Sequence, residues 1–513
     1  MKKAAISPPP SWNLSDLFTS ITDPAIAETW ASQNRRADEF AEHYRGKITS
    51  KLKPDELLAM IQMYESIMEQ AGKPEIYAHL MVCAENIPVN SAFEQKMREA
   101  GLELSQKLLF FELELSKLDA ETLTRWSEHK TLRNYRHYLK RVADYRPHRL
   151  SENEEKIMND LSLSGGSAFV RLFDEELAYK TFRLKDGTKT RVLNTEETLH
   201  GLHSAKRSER KASAKALTQG LEEEARRITF IANALFQQKK TTDKYYRFSS
   251  PEESRHLSNE TTQAIVDAMS KTVSQRTKIV QDFYRFKKQV LGLETLYDYD
   301  RYASLSARES GLPFSECKRI VLEGYRAFSA DAAWIVEQFF DRRWIDAEIR
   351  PGKQGGGFCC QTTPDLHPYI LVNYTGQLRD VLTVAHELGH GLHQYLARKV
   401  GILESDAPLT MAETASVFGE MLIFDRVIRE AGDPKERLAL LCGKIDDNFA
   451  TVFRQIAMTD FELRAHLEGI KEGELAEETL NGFWLAANRD LYGDSVVLTD
   501  NYRHGWKYIP HFV

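Results

Sequence analysis

The stretch TVAHELGHGLHQYL, residues 383–396, brings His386, His390 and His393 close together in the chain. His386 and His390 are four apart, so on a helix they share one face about a turn apart. Two imidazoles so placed can reach one tetrahedral zinc ion. Glu387 follows the first histidine. From there a carboxylate addresses the metal's open position rather than ligating it, and can take a proton from an attacking water and hand it to a leaving amine. The five-residue pattern is short and arises by chance in helices. Its flank VLTVA is apolar, so the helix is expected to be buried, where unpartnered polar groups would be costly. One zinc ion per chain is the expectation. Gly389 and Gly391 each cost a helix about 1 kcal/mol against Ala, and are expected where a backbone or ligand comes close.

A catalytic zinc takes a third protein ligand and keeps one position open. The pattern HExxHxxGxxH is absent, since position 396 is Leu. His393 is read as supporting rather than ligating. The acidic candidates downstream are Glu404, Asp406, Glu413 and Glu420. Glu404 and Asp406 fall in the loop-like GILESDAPL. Glu413 opens a second helix, TMAETASVFGEML, with Thr410 as a candidate cap and the small Ala412 and Ala415 beside it. An antiparallel helix pair would bring Glu413 back over the histidines. Spacing favours it over Glu420, which could instead accept a hydrogen bond from a ligand histidine's other nitrogen.

These residues need a scaffold, and the sequence reads as mainly helical. PDELLAMIQMYESIMEQAGK begins with a first-turn Pro and is expected to end near Gly72. The segments 91–118, 262–292 and 314–340 repeat apolar residues at three and four. Strand signals are few. AYKTFRLKDGTKTRVL alternates around Asp186-Gly187, a hairpin signature, and HPYILVNYTG is a short β-forming run ahead of the histidine helix. A chain of 513 residues exceeds one hydrophobic core, so two lobes are expected: 1–195, ending in the hairpin, and 196–513 around the histidine helix.

Composition narrows the function. Hydrophobic residues at 42% and charged residues at 28% fit a globular protein in water. A net charge of -6 gives no reason to expect nucleic acid or an anionic membrane as partner. MKKAAISPPPSW carries no apolar run after its lysines, so no leader is read, and no stretch of about 18 apolar residues suggests a span. The five cysteines are odd in number and not in zinc-finger spacing. They read as reduced residues, and the cytoplasm is the expected compartment.

The block RPGKQGGGFCCQTTPDLHPYILVNYTGQLRDVLTVAHELGHGLH followed by MAETASVFGE resembles the thimet oligopeptidase and oligoendopeptidase F family of zinc metallopeptidases. WNLSDLF near the start and LYGDSVVLTDNYRHGWKYIPHF near the end resemble oligoendopeptidase F segments. The resemblance implies a two-lobed helical body with a deep substrate channel, a small sheet beside the HExxH helix, and endopeptidase action on short peptides. It implies His386, His390 and Glu413 as zinc ligands and Glu387 as general base and acid. The run HPYILVNYTG, with Tyr374, reads as an edge strand able to pair with an extended peptide, and the Gly355, Gly356, Gly357 loop either as a close approach or lid over substrate or as a plain flexible turn. His511 matches the family's oxyanion-stabilising histidine. Family members continue into a tyrosine-rich helix; this sequence ends at Val513, and Tyr492, Tyr502 and Tyr508 do not match the motif positions. The chain is therefore expected to be truncated. The rival readings are a zinc carboxypeptidase or dipeptidase of related fold, and a truncated, inactive peptide-binding member.

Overall fold

In this computed structural model the described residues are 9–186, 189–303, 305 and 311–513, with backbone alone at 163, 186 and 189. The amphipathic stretches are helices, and packing decides where several of them end. Pro54–Ala84 is one helix that runs through both Gly72 and Pro74. The expected stop at Gly72 is overridden because the helix buries side chains on both sides of it, Leu57, Ile61 and Ile67 before and Tyr77 and Ala78 after. A side chain at Gly72 would already touch the Thr363 methyl at 3.8 Å. The 262–292 stretch divides instead into Gln263–Ser274 and Thr277–Val290. The 314–340 stretch divides at Ser329, whose hydroxyl accepts from Ala332 N–H at 3.3 Å and caps a new helix, Ala330–Asp341.

The hairpin pairs β1 (Phe182–Asp186) with β2 (Lys189–Leu193), Phe182 opposite Leu193. Phe182 and Leu184 are buried while Arg183 and Lys185 are exposed, the alternation of a strand with one covered face. Gly187 of its turn lies outside the described residues, as does most of the N-terminal stretch read for a leader.

The second sheet contains β3 (Ile345–Asp346), β4 (Phe358–Cys360) and β5 (Tyr369–Leu371) in the order β3-β5-β4. β5 is parallel to β3 and antiparallel to β4. The expectation that HPYILVNYTG supplies an edge is therefore corrected. Tyr369, Ile370 and Leu371 are completely buried and hydrogen-bonded on both sides, as an unalternating apolar run should be. β4 is an edge.

Contacts divide the chain into two compact units, Met1–Lys156 with Glu309–Glu430, and Ile157–Arg308 with Ala431–Val513. The division expected at residue 195 falls inside the second unit. The first unit's core joins Phe40, Leu57, Phe111 and Trp126 with Val336, Phe339, Ile370 and Val384. The second joins Phe173, Phe182 and Phe236 with Phe461, Trp484 and Trp506. Each unit thus draws its core from two distant stretches of sequence. Among the described residues no helix is long and apolar enough to cross a membrane.

Candidate metal centre and active site

The histidine helix is Leu378–Ala397. Asp380 fastens its start, accepting from Thr375 N–H at 2.7 Å and Gln377 N–H at 3.1 Å. Val381, Val384, Ala385 and Leu388 are completely buried, so packing fixes the rotation of the helix and hence the face that carries His386 and His390. Both imidazoles are half-buried, 5.1 Å apart between ring centres.

A second helix, Leu409–Glu430, crosses it closely. It begins one residue before the expected Thr410 cap. A Cβ on Gly389 would sit 2.3 Å from the Ala415 carbonyl oxygen, and one on Gly419 would sit 2.9 Å from that of Ala385. The contacts 385 with 419 and 389 with 415 run in opposite directions, so the pair is antiparallel. Tyr325 braces the crossing by donating to the Ala385 carbonyl at 3.2 Å.

This crossing delivers Glu413 to the histidines. Its Oε2 lies 3.2 Å from His386 Nε2 and its Oε1 3.5 Å from His390 Nε2. One donor atom from each of His386, His390 and Glu413 lies within 4.8 Å of the others, the one such group of three among the described residues. Glu420 reaches the far side of His386, 3.5 Å from Nδ1. Ser416, completely buried, donates to Glu413 Oε2 at 2.6 Å. The sequence reading missed Ser416. Its signal was a hydroxyl three residues after the acid, on the same helix face.

The electrostatics suit a cation. Hydrogen bonds from His386 and His390 hold the Glu413 carboxyl well below its ordinary range. Burial opposes charge on His386, but Glu413 and Glu420 outweigh it and raise its pKa to about 9. Two imidazoles and a carboxylate converging from one side are a donor set that fits zinc with a position left open. Glu387 points elsewhere on the same helix. It is 6% exposed, and burial raises its pKa against the pull of both histidines.

The Gly355–Gly357 loop is exposed and is held by Asn373, whose amide donates to the carbonyls of Gln354 and Gly356 at 2.9 and 3.0 Å. Gly357 has a steric reason to be glycine: a Cβ there would lie 3.3 Å from Glu387 Oε1. Cys359 of β4 donates to Gln394 at 3.2 Å, and burial, then the nearby Glu387, pushes its thiol up. Tyr374 is buried, with its hydroxyl donating to the Leu312 carbonyl at 2.9 Å. Glu404 is turned away from the histidines, toward His137 and the Tyr138 N–H. Asp406 and His393 lie outside the donor group. His511 is exposed on the short turn Pro510–Phe512 of the second unit.

A family model described as Peptidase family M3 matches residues 201–512. The chain belongs to this family. A second model, described as Oligopeptidase F, matches residues 114–182. This M3 chain is a metalloendopeptidase, a peptide hydrolase. Among curated relatives, Oligopeptidase PepF of Bacillus subtilis is 24% identical, the alignment covering 98% of this chain and 75% of that one. An Oligoendopeptidase F homolog of Lactococcus lactis is 26% identical, covering 89% and 77%. The crystal structure of oligoendopeptidase-F from Enterococcus faecium superposes with a TM-score of 0.69 at 20% identity, covering 95% of this chain and 83% of that one. The helical M3 fold, with only small sheets, is shared.

Proposed function

We propose that this M3 peptidase is a zinc-dependent oligoendopeptidase that cleaves internal bonds of short peptides, with His386, His390 and Glu413 holding the metal and Glu387 moving the proton. The observation that carries this reading is the convergence of those three donors, from two crossing helices, within 4.8 Å of one another, with Glu387 buried on the helix of the two histidines. Bound there, zinc would supply Lewis acidity toward the scissile carbonyl and the attacking water.

The protein's own groups do the rest. His386 and His390 present Nε2 because packing of Val384, Ala385 and Leu388 sets the helix rotation. Glu420 faces His386 Nδ1, which orients the ring, as a carboxylate beside a ligand histidine does. Ser416 holds one oxygen of Glu413. Glu387 accepts the proton of the attacking water and returns it to the leaving amine; its burial raises its basicity for this task. The unpaired β4 edge offers main-chain groups to an extended peptide. His511 is assigned the oxyanion-stabilising role on the resemblance of YIPHF. All five cysteines are unpaired, which supports the cytoplasm as the compartment.

The test uses terminally blocked, internally quenched peptides of about 6 to 20 residues, with and without chelator. Chelator-sensitive internal cleavage that fades with length is expected. Glu387→Gln should hold zinc, by elemental analysis, yet lose at least about 100-fold in kcat. Full activity in that variant would sink the mechanism. His511→Ala should lower kcat about 100-fold with zinc content unchanged; unchanged kcat would remove His511 from the site.

A further inference from the structure

The carboxylate donor stands on a helix start that packing barely holds. Glu413 lies in the second turn of Leu409–Glu430. Leu409, Thr410, Met411, Glu413 and Thr414 are exposed, and the first buried residue of that helix is Ser416. The opening N–H groups of a helix lack intrahelical partners, and such ends fray unless something outside secures them. His386 and His390 are placed differently. They sit in mid-helix with Val384, Ala385 and Leu388 buried around them.

What secures the start of the second helix is the loop ahead of it, in the same compact unit. The Glu404 side chain is 8% exposed. One of its oxygens accepts from the Tyr138 N–H at 2.7 Å, and the other meets His137 Nδ1 at 2.5 Å. Tyr138 is buried in the first unit's core, on the helix Arg136–Tyr145. A carboxylate so enclosed needs its partners, and hydrogen bonds to an ionised group are about twice as strong as neutral ones. The next residue, Ser405, is buried and accepts from the Gln361 amide at 2.9 Å, which ties the loop to the end of β4. Gly401, at φ +87°, begins the loop against Glu65: a Cβ there would lie 2.8 Å from Glu65 Oε1. Glu65 in turn accepts from the Tyr135 hydroxyl at 2.5 Å. The loop is therefore gripped at 401, 404 and 405, and Glu404 is its charged grip.

We propose that Glu404 is a positioning residue for the metal: by fixing the loop 401–408 it sets where the second helix begins, and so where the Glu413 carboxylate stands against His386 and His390. It acts from behind the site and touches no donor atom. The proposal rests on the reading of these three donors as zinc ligands.

The experiment compares the full chain with Glu404→Ala, Glu404→Gln and Gln361→Ala. Each is stripped with chelator and its backbone hydrogen exchange followed by mass spectrometry. Zinc is then titrated in competition with a chromophoric chelator. In Glu404→Ala the amides of 405–416 should exchange at least about tenfold faster, and zinc should bind at least about tenfold more weakly, the worth of one hydrogen bond to a charged group. Glu404→Gln keeps an oxygen for the Tyr138 N–H and should recover most of both. Should Glu404→Ala fail to fold, Gln361→Ala loosens the same loop at Ser405 and should weaken zinc several-fold. Unchanged exchange at 405–416 overturns the anchor. Faster exchange or a lowered melting temperature with zinc affinity unchanged makes Glu404 a structural residue and overturns the positioning role alone. A parent chain that binds no zinc overturns the metal reading, and the positioning role with it.

Discussion

At the residue scale, the third donor depends on a neighbour that no metal-site pattern names. Ser416 is buried against Glu413 and donates to Oε2 at 2.6 Å, which leaves Oε1 on the side of His390. Removing that donor frees the carboxylate to rotate away. Ser416→Ala is expected to weaken zinc binding about tenfold or more, as outer partners of metal ligands do when removed, with the fold intact by circular dichroism. A competition titration against a chromophoric chelator reads it; unchanged affinity would show that the hydroxyl does not position the carboxylate. His386, Glu387 and His390 were legible in the sequence because helical spacing alone puts them on adjacent faces. Glu413 was legible by spacing and resemblance together. Ser416 and Tyr325 were not, because their partners are identified only once two helices cross.

At the element scale, the crossing of Leu378–Ala397 and Leu409–Glu430 is set by glycine. A side chain at Gly389 would drive into the Ala415 backbone at 2.3 Å, and backbone cannot swing aside as a side chain can. Gly389→Ala is expected to destabilise by about 2 kcal/mol or more through overpacking, despite alanine's better helix propensity, and to lose metal as Glu413 moves out. Gly443 is the contrast. It lies inside the helix Pro434–Phe449 with nothing within 4 Å of an added Cβ, so Gly443→Ala is expected to stabilise by about 0.5–1 kcal/mol. Paired thermal melts with zinc analysis separate the two; a neutral Gly389→Ala would refute the packing argument. The sheet gives the complementary lesson. A run as apolar as PYILV cannot be a half-exposed edge, and the edges are the short β3 and the less conspicuous FCC of β4.

At the scale of the whole molecule, the unit that carries the donors is not the C-terminal part of the chain. Phe40, Leu57, Phe111 and Trp126 belong to the same core as Phe339, Ile370 and Val384. Residues 196–513 expressed alone would leave that apolar surface bare and are expected not to fold cooperatively. Loss of a sharp thermal transition and binding of a hydrophobic dye would show it; a folded, zinc-binding fragment would overturn the shared core. The same unit contains a pH signal. Burial raises the Glu75 carboxyl from 4.5 to about 7, against the opposing pull of Arg98. Below pH 4.5 it is protonated in both states and costs nothing. Between 4.5 and 7 only the unfolded chain has released the proton, so stability falls as pH rises, by at most about 1.4 kcal/mol per pH unit; above 7 the penalty is constant. Glu75→Gln is expected to match the parent near pH 4 and exceed it at pH 8 in denaturant titrations, and equal stability at pH 8 would show that the carboxyl is not strained.

The sequence by itself determined the helical character, the hairpin, and the shared helix face of His386 and His390 with Glu387 beside it. Those are carried by short-range periodicity, and a residue four positions away on a helix is a neighbour whatever the rest of the chain does. Only the tertiary structure decided that Pro54–Ala84 continues through Gly72 and Pro74, that β5 is central, and that the unit bearing the donors is assembled from Met1–Lys156 and Glu309–Glu430, with the intervening and final stretches forming the other unit. Each of these turns on burial against residues beyond the reach of local periodicity, and local propensity, worth about 1 kcal/mol per residue for Gly, yields to that larger energy.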